Sequence, residues 1–300
     1  AMNLSFPLPV RFMWDTARAI LGADKVPKQS PYRREVLMWR IDALLADAQF
    51  VDSPDMTPVK AYWSHIDSDT EQSAQRLQLA TVMADVFEQY LLYRPDWLSA
   101  WENGELQSPD NTMERWQARL WRALSESEPL HPASLHREAI EALKTGDAGS
   151  HLPERIIVFA INTMAPQLVA FFDALAEHTD IHIFHLNPSV NYWGDAKSDR
   201  DQARALREGA VEKWMQEEQS NPFLGNLGKQ GRDLFNLLTQ LDTFEVSAFD
   251  VPRPEDKSEN VHLLQHIQYD VLQARAPIIA EQDSIIRQPS ADDSVIVASA

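Results

Sequence analysis

Apolar positions along the first half of the chain recur at helical spacing. Phe12 to Leu21 reads as a short helix stopped by Gly22, after an extended start imposed by Pro7 and Pro9. Ser30-Pro31 has the form of a helix start, a hydroxyl cap followed by proline at the first helical position. Val36, Leu37, Ile41, Leu44 and Leu45 carry that helix to about Gln49. Residues 51–69, rich in Asp, Ser, Pro and Thr, read as loop with one helical turn. Leu79, Met83, Val86, Phe87, Tyr90 and Leu91 mark a long helix from Thr70 to Tyr93, ended by Arg94-Pro95. Helices over 112–127 and 133–145 complete a stretch without strand signals.

The rhythm then changes. Arg155 to Ile161 is a continuous apolar run, the pattern of a strand buried on both faces. A helix over 166–178 and a second strand over 181–186 follow, which makes a βαβ unit with parallel strands. Helices are predicted over 201–219, 229–240 and 258–274, and a last strand over 294–299. The predicted fold class is α/β, predominantly helical. An α/β domain takes residues 1–29 and resumes over 151–300, and residues 30–150 form an all-helical insertion. Ala1 in place of Met, and a strand pattern running out at Ala300, are read as cuts within a longer chain.

Composition sharpens this picture in three ways. The absence of cysteine excludes disulfides and thiolate metal sites. No apolar run reaches membrane-spanning length and no signal-peptide pattern opens the chain, so a soluble, cytoplasmic protein with no membrane partner is expected. The net charge of −18 argues against simple phosphate binding, but its distribution is uneven. Residues 1–40 hold Arg11, Arg18, Lys25, Lys28, Arg33, Arg34 and Arg40 against three acids, a balance of +4, and the other 260 residues carry −22. Arginine outnumbers lysine 19 to 8, which suits phosphate forks and base edges as well as ion pairs.

Few residues form a catalytic pattern. Asn221-Pro222-Phe223-Leu224-Gly225-Asn226-Leu227-Gly228-Lys229-Gln230-Gly231 lacks the P-loop's first glycine, at Phe223, and its hydroxyl, at Gln230; it reads as a loop before a helix. The first strand of the βαβ unit is followed by Asn162-Thr163-Met164, where a nucleotide hydrolase would place carboxylates for Mg²⁺. His262, His266 and Asp270 share a face of a predicted helix and could begin a metal site, yet no second cluster offers a further ligand. His182 and His185 are an odd number apart in a strand and point to opposite faces. Seven of nine tryptophans lie by residue 121. Core packing is the usual fate of such side chains, with base stacking the alternative, foremost at Trp14 in the basic segment.

Several segments in order resemble the RecC family, the gamma chain of exodeoxyribonuclease V. These are Phe6-Pro7-Leu8-Pro9 with Phe12, Trp14 and Asp15; Phe87-Glu88-Gln89-Tyr90-Leu91-Leu92-Tyr93-Arg94-Pro95-Asp96-Trp97 with Trp101-Glu102; Trp116-Gln117-Ala118 with Leu120-Trp121; Leu152-Pro153-Glu154-Arg155; Asn187-Pro188 with Tyr192-Trp193-Gly194-Asp195; Asn221-Pro222 with Gly228-Lys229 and Gly231-Arg232-Asp233; and Ile267-Gln268 with Asp270. The Q-Y-L-x-Y-R-P-D-W and Y-W-G-D runs are the specific ones.

The resemblance implies a superfamily 1 helicase-like, P-loop-related parallel-sheet domain that has lost its ATPase motifs, with an all-helical domain inserted. It implies a non-catalytic DNA-handling subunit that passes the 3′-ended strand through a tunnel and scans it for the signal Chi. RecB and RecD are the implied partners, with double-stranded DNA ends and single-stranded DNA. No cofactor is implied in this chain, because ATP and Mg²⁺ act in the partner subunits. The tunnel positions of the family fall on Leu8, Trp14, Asp85, Val86, Glu88 and Arg94. Val86 and Glu88 replace a familiar leucine and aspartate, and Pro132 an arginine, so the DNA sequence read stays open. Two other readings compete with this one: an acidic helical scaffold that binds only proteins, and a metal-dependent hydrolase built on His262, His266 and Asp270.

Overall fold

A computed structural model describes residues 5–145, 152–209, 221–249, 262–275 and 294–296. Two compact units emerge: residues 1–157 with 165–182, and residues 158–164 with 183–300.

The first unit is built from helices. α1 spans Pro9–Leu21, with proline in its first turn, and ends where Gly22 takes φ 101°. α2 spans Arg34–Ala46. It starts later than Ser30-Pro31 suggests, because the Ser30 hydroxyl accepts the Tyr32 amide and the Arg33 amide bonds the Ser30 carbonyl, closing a turn instead. It also stops before Gln49: Asp47 leaves helical geometry and its carboxylate caps the short α3, Ala48–Val51. A 3₁₀ turn at Pro54–Met56 leads into α4, Thr57–Lys60.

α5, Asp69–Tyr93, is the long helix that the apolar spacing predicts. The Ser68 hydroxyl caps the Glu71 amide, and Asp69 and Glu71 sit where the helix dipole favours negative charge. Two Arg–Asp pairs, Arg34–Asp85 and Arg76–Asp42, cross from α2 to α5 and set the two helices antiparallel. α6, Pro95–Glu102, and α7, Thr112–Ser127, follow. Tyr32, Leu37, Ile41, Phe87, Leu98, Trp101, Leu120, Trp121 and Leu124 are fully buried in one continuous core across these elements.

Two carboxylates enter this core. Glu114 on α7, 8% exposed, accepts the Trp101 indole N–H at 2.9 Å and the amides of Gln107 and Ser108 at 2.6 and 2.7 Å. Burial alone raises its pKa, but the three donors outweigh that and hold it below the usual carboxylate value. Glu102 on α6 accepts the Trp121 indole at 2.8 Å and His131 Nε2 at 2.9 Å, and its pKa is likewise lowered against the pull of burial.

α8, Pro132–Lys144, is capped by His131, whose Nδ1 accepts the Ser134 amide. That bond needs a lone pair on Nδ1, so the ring proton sits on Nε2 and points at Glu102. α8 packs on α1 and on α9, Pro166–Ala176. Phe12 stacks on Phe172 at 5.8 Å, and His136 lies against Phe171 at 5.3 Å.

β1, Arg155–Phe159, and β2, Asp180–Phe184, pair in a two-stranded sheet linked through α9. The Asp180 amide bonds the Glu154 carbonyl, which aligns the starts of both strands as a parallel pair requires. β1 is not buried on both faces. Ile156 and Val158 are buried, whereas Ile157 and Phe159 are 61% and 72% exposed. Successive strand residues point to opposite faces, and only the face that carries Ile156 and Val158 is covered among the described residues.

In the second unit the chain leaves β1 through Ala160 at φ 57°, a left-handed turn that costs a non-glycine residue about 1 kcal/mol. α10, Asp199–Arg207, starts ahead of the predicted 201–219 helix and ends early, in a turn at Glu208-Gly209 where Gly209 takes φ 85°; residues 210–219 lie outside the described residues. Asn221 caps α11, Pro222–Leu227, where the sequence suggests a loop; α12, Lys229–Leu238, follows directly. α13, Leu263–Leu272, falls within the predicted 258–274 helix. Of the strand predicted at 294–299, residues 294–296 are described and form no strand; the rest lies outside the described residues.

The glycines here serve packing. A Cβ on Gly225 would stand 2.3 Å from the Lys197 carbonyl oxygen, and one on Gly228 would meet the Leu224 carbonyl oxygen at 2.4 Å and the Trp193 ring at 2.9 Å. Trp193 itself stacks on Phe235 and donates to Asn187.

Two stability predictions follow from these buried groups. Glu114→Gln turns an amide NH₂ toward main-chain donors, so a loss of about 1–3 kcal/mol is expected in urea unfolding. His136 is 5% exposed with Nε2 unpartnered, and burial pulls its pKa down to about 4, opposed by the Gln167 backbone. The unfolded chain therefore takes up the proton first. The stability linked to His136 is complete above the unfolded value of 6.5 and falls by about 3 kcal/mol as pH drops to 4. Thermal unfolding across pH 7 to 4 should show this slope, and His136→Gln should flatten it; an unchanged slope would mean that His136 is not its source.

Candidate nucleic-acid interface

Pro95 defines the site's central turn. Its ring disfavours helical backbone at the residue before it, and Arg94 adopts φ −135°, ψ 49°. Arg94 thereby closes α5 and opens α6: its amide bonds the Tyr90 carbonyl, and its own carbonyl accepts the amides of Trp97 and Leu98 at 3.1 and 3.4 Å. The side chain folds back over the first turn of α6. Nε and Nη2 donate to the two oxygens of Asp96 at 3.1 and 2.8 Å, and the guanidinium carbon lies 3.7 Å above the Trp97 ring. Trp97 is seated in turn against Tyr90 and Trp101 at 5.6 and 6.2 Å.

One to three turns earlier on α5 lie Asp85, Val86 and Glu88. Asp85 is held by Arg34 of α2, with Nη2 donating to Oδ2 at 3.0 Å and Nε meeting the other oxygen. Val86 is half-buried and packs against the aromatic core. Glu88 is exposed and forms no ion pair among the described residues.

Leu8 and Trp14 belong to α1, Leu8 as its N-cap and Trp14 within it. Leu8, 77% exposed, is the residue on which α1 begins, its carbonyl accepting the Phe12 amide at 2.8 Å. Phe6 and Val10 beside it are exposed as well. Trp14 is buried, and its indole N–H donates to the Pro27 carbonyl at 3.0 Å. Its ring is a packing group that ties α1 to the loop before α2. Among the described residues no hydrogen bond, ion pair or ring contact joins Leu8 or Trp14 to Asp85, Val86, Glu88 or Arg94.

Arg34, Asp96 and Trp97 stand outside the tunnel positions that the family resemblance implies. The adjacency of Arg94, Asp96 and Trp97 at a proline-marked helix start was the available signal for two of them. Nothing in the sequence pairs Arg34 with Asp85, 51 positions away.

The proposed metal face does not assemble. His262 stands outside α13 as its N-cap, engaged with Gln265. No cluster of three or more His, Cys, Asp or Glu that could hold a metal occurs among the described residues. Nor is any helix among them long and apolar enough to cross a membrane.

Comparison with known proteins adds to this geometry. The family described as RecC, N-terminal domain, matches residues 1–274. The RecBCD enzyme subunit RecC of Escherichia coli K12 is 31% identical across 93% of this chain and 26% of its own length. That of Haemophilus influenzae is 28% identical across 90% of the chain and 28% of its length. The Mycobacterium tuberculosis H37Rv subunit is 32% identical across 54% of the chain and 15% of its length. The chain thus spans about a quarter of the first two relatives. Since the match runs through both units and includes the Arg94 turn, the chain belongs to the RecC N-terminal domain family.

Proposed function

We propose that this chain is the N-terminal part of a RecC-type subunit, and that in a RecBCD-like assembly it guides the 3′-ended strand of an opened duplex and scans it for a Chi-like signal. The observation that carries this reading is the RecC N-terminal domain match over residues 1–274. In this reading the α/β part is a superfamily 1 helicase-like motor without its chemistry. β1 ends at Phe159, and the Asn162-Thr163-Met164 segment beyond it holds no carboxylate for Mg²⁺, so in this reading ATP hydrolysis and strand cleavage fall to partners of the RecB and RecD type and this chain is non-catalytic.

We assign Leu8, Glu88 and Arg94, all solvent-accessible, to the surface that the strand passes. Asp85 acts there through its pair with Arg34, and Val86 and Trp14 support the surface from beneath. The acidic balance is compatible with this role. A strand that is threaded meets few phosphates at a time and gains from aromatic and apolar contacts that do not depend on net charge. By the resemblance Val86, Glu88 and Pro132 stand where the family has other residues, so the signal itself is left to measurement.

The −22 carried by residues 41–300 favours a second reading, a scaffold that binds only proteins. One experiment separates the two. The full-length parent protein, assembled with its partners, is photo-crosslinked to a duplex with a 3′ tail. Adducts near Leu8, Trp14 or Arg94, together with loss of tail binding in Arg11→Glu and Arg94→Glu variants, are expected. Intact assembly with no adduct there, and with DNA binding unchanged in the variants, favours the scaffold.

A further inference from the structure

Arg115, Arg119 and Arg122 stand at i, i+4 and i+7 on α7 and share one face, opposite the side that buries Trp116, Leu120, Trp121 and Leu124. Elsewhere in the first unit Arg11, Arg34, Arg76 and Arg94 each meet an aspartate. The arginines of α7 form no ion pair among the described residues. Arg115 Nε donates to the Pro109 carbonyl at 2.7 Å, and the Arg119 guanidinium carbon lies 5.0 Å from the centre of the Phe50 ring. Neither contact neutralises the charge. Arg119 Nε is buried and unpartnered, so its remaining hydrogen-bonding capacity lies at the Nη groups. Arg122 is partly exposed, and no side-chain bond holds it among the described residues.

Glu114, in the first turn of α7, is turned into the core and met there by Trp101 and two amides. Asp55, in the 3₁₀ turn that packs on α7, and Glu126, one turn beyond Arg122, form no ion pair with the stripe among the described residues. A helix rises about 1.5 Å per residue, so the stripe extends over about 10 Å. One strand of B-DNA places a phosphate about every 3.4 Å along its axis, so a backbone lying along α7 brings roughly three phosphates within reach. Guanidinium forks fit phosphate oxygens, and arginines that keep their full charge gain from counterion release. Other ligands fit less well. The same face of α7 adds only Thr112, Ala123 and Glu126, without the apolar centre that a protein interface needs. A single strand is held largely by ring stacking, but Trp116 and Trp121 are 5% and 0% exposed and Phe50 already carries Arg119.

We propose that the Arg115, Arg119 and Arg122 face of α7 is a sequence-independent contact for the phosphate backbone of duplex DNA. It lies on a different helix from the residues assigned to the strand, and it reads no base. It rests on the RecC-type reading only in that a duplex is brought to the assembly. Phosphate contacts of this kind fix position and affinity, and their contribution is screened by salt.

The full-length parent protein in its assembly is titrated, without ATP, against a blunt duplex and against single-stranded oligothymidylate over a series of salt concentrations. Each of Arg115→Gln, Arg119→Gln and Arg122→Gln is expected to reduce the duplex slope of log affinity against log salt by about 0.9. Between about 50 and 200 mM salt the triple variant should lose roughly 40-fold less of its duplex affinity than the parent does. Oligothymidylate binding should stay as it is, and Arg→Lys at all three positions, which keeps the charge, should keep the slope. Arg119 packs on Phe50, so Arg122→Gln, which removes no side-chain bond among the described residues, is the variant least exposed to a folding defect. An unchanged duplex slope in Arg122→Gln and in the triple variant overturns the proposal. So does an equal loss on both probes, the mark of damaged folding. Loss of a partner subunit with the duplex slope unaltered also overturns it, and points to an acidic protein ligand. If 3′-tail adducts near Arg94 persist while the duplex slope is unchanged, this inference fails and the strand reading stands. A reduced slope without any tail adduct keeps the duplex contact and removes the strand reading.

Discussion

Between α6 and α7 two indole N–H groups and two carboxylates are exchanged: Trp101 on α6 donates to Glu114 on α7, and Trp121 on α7 donates to Glu102 on α6. Each bond places a charge in an apolar core, which is costly unless the charge is fully met. Here each carboxylate has further donors, the Gln107 and Ser108 amides for Glu114 and His131 for Glu102. Both therefore titrate below their ordinary range despite burial. Neither helix can slide or rotate without leaving a charge or an indole N–H unpaired, so the register of the pair is set. His131 extends the constraint to α8, since the ring that donates to Glu102 also caps that helix.

The aromatic core is arranged around this lock. Trp121 meets Tyr32, Phe87 and His131, while Tyr90 meets Phe87, Trp97 and Trp101. The Tyr32 hydroxyl reaches the carbonyls of Leu124 and Glu128, where Arg40 also donates to Leu124; burial pushes that phenol up to about 12. The chain of rings ends at Trp97, on whose face the Arg94 guanidinium rests. The position of the guanidinium thus follows from core packing several residues away, a firmer support than a surface loop could supply.

The second unit uses close approach in place of buried charge. Gly225 and Gly228 allow α11 to press on the Lys197 backbone and the Trp193 ring. The end of α13 is satisfied from outside: Ser189 and Asn191 side chains and the Val190 amide bond the carbonyls of Leu272 and Gln273, and Asn221 bonds that of Arg275. The Asn187-Pro188, Tyr192-Trp193-Gly194-Asp195 and Asn221-Pro222 segments that carry the family likeness here are therefore packing and capping devices. Gly225 and Gly228 of the 225–231 run are explained by close contact, with no phosphate needed.

Much was legible in order along the chain. Helical spacing of Leu79 to Leu91 gave α5, Pro95 its end and Gly22 the end of α1, because such signals act within a turn or two of the backbone. The absence of carboxylates after β1 and the family likeness were equally plain in the letters. Three-dimensional packing decided the rest. It covered one face of β1, turned Ser30 into a turn former, buried Trp14 with its N–H on Pro27, and gave Asp85 to Arg34. It also chose which tryptophan meets which glutamate. Spacing reports which side of an element is apolar. It does not report what lies opposite, and the burial of a strand face, the pairing of a charge and the orientation of an arginine all depend on groups that only the folded chain brings within reach.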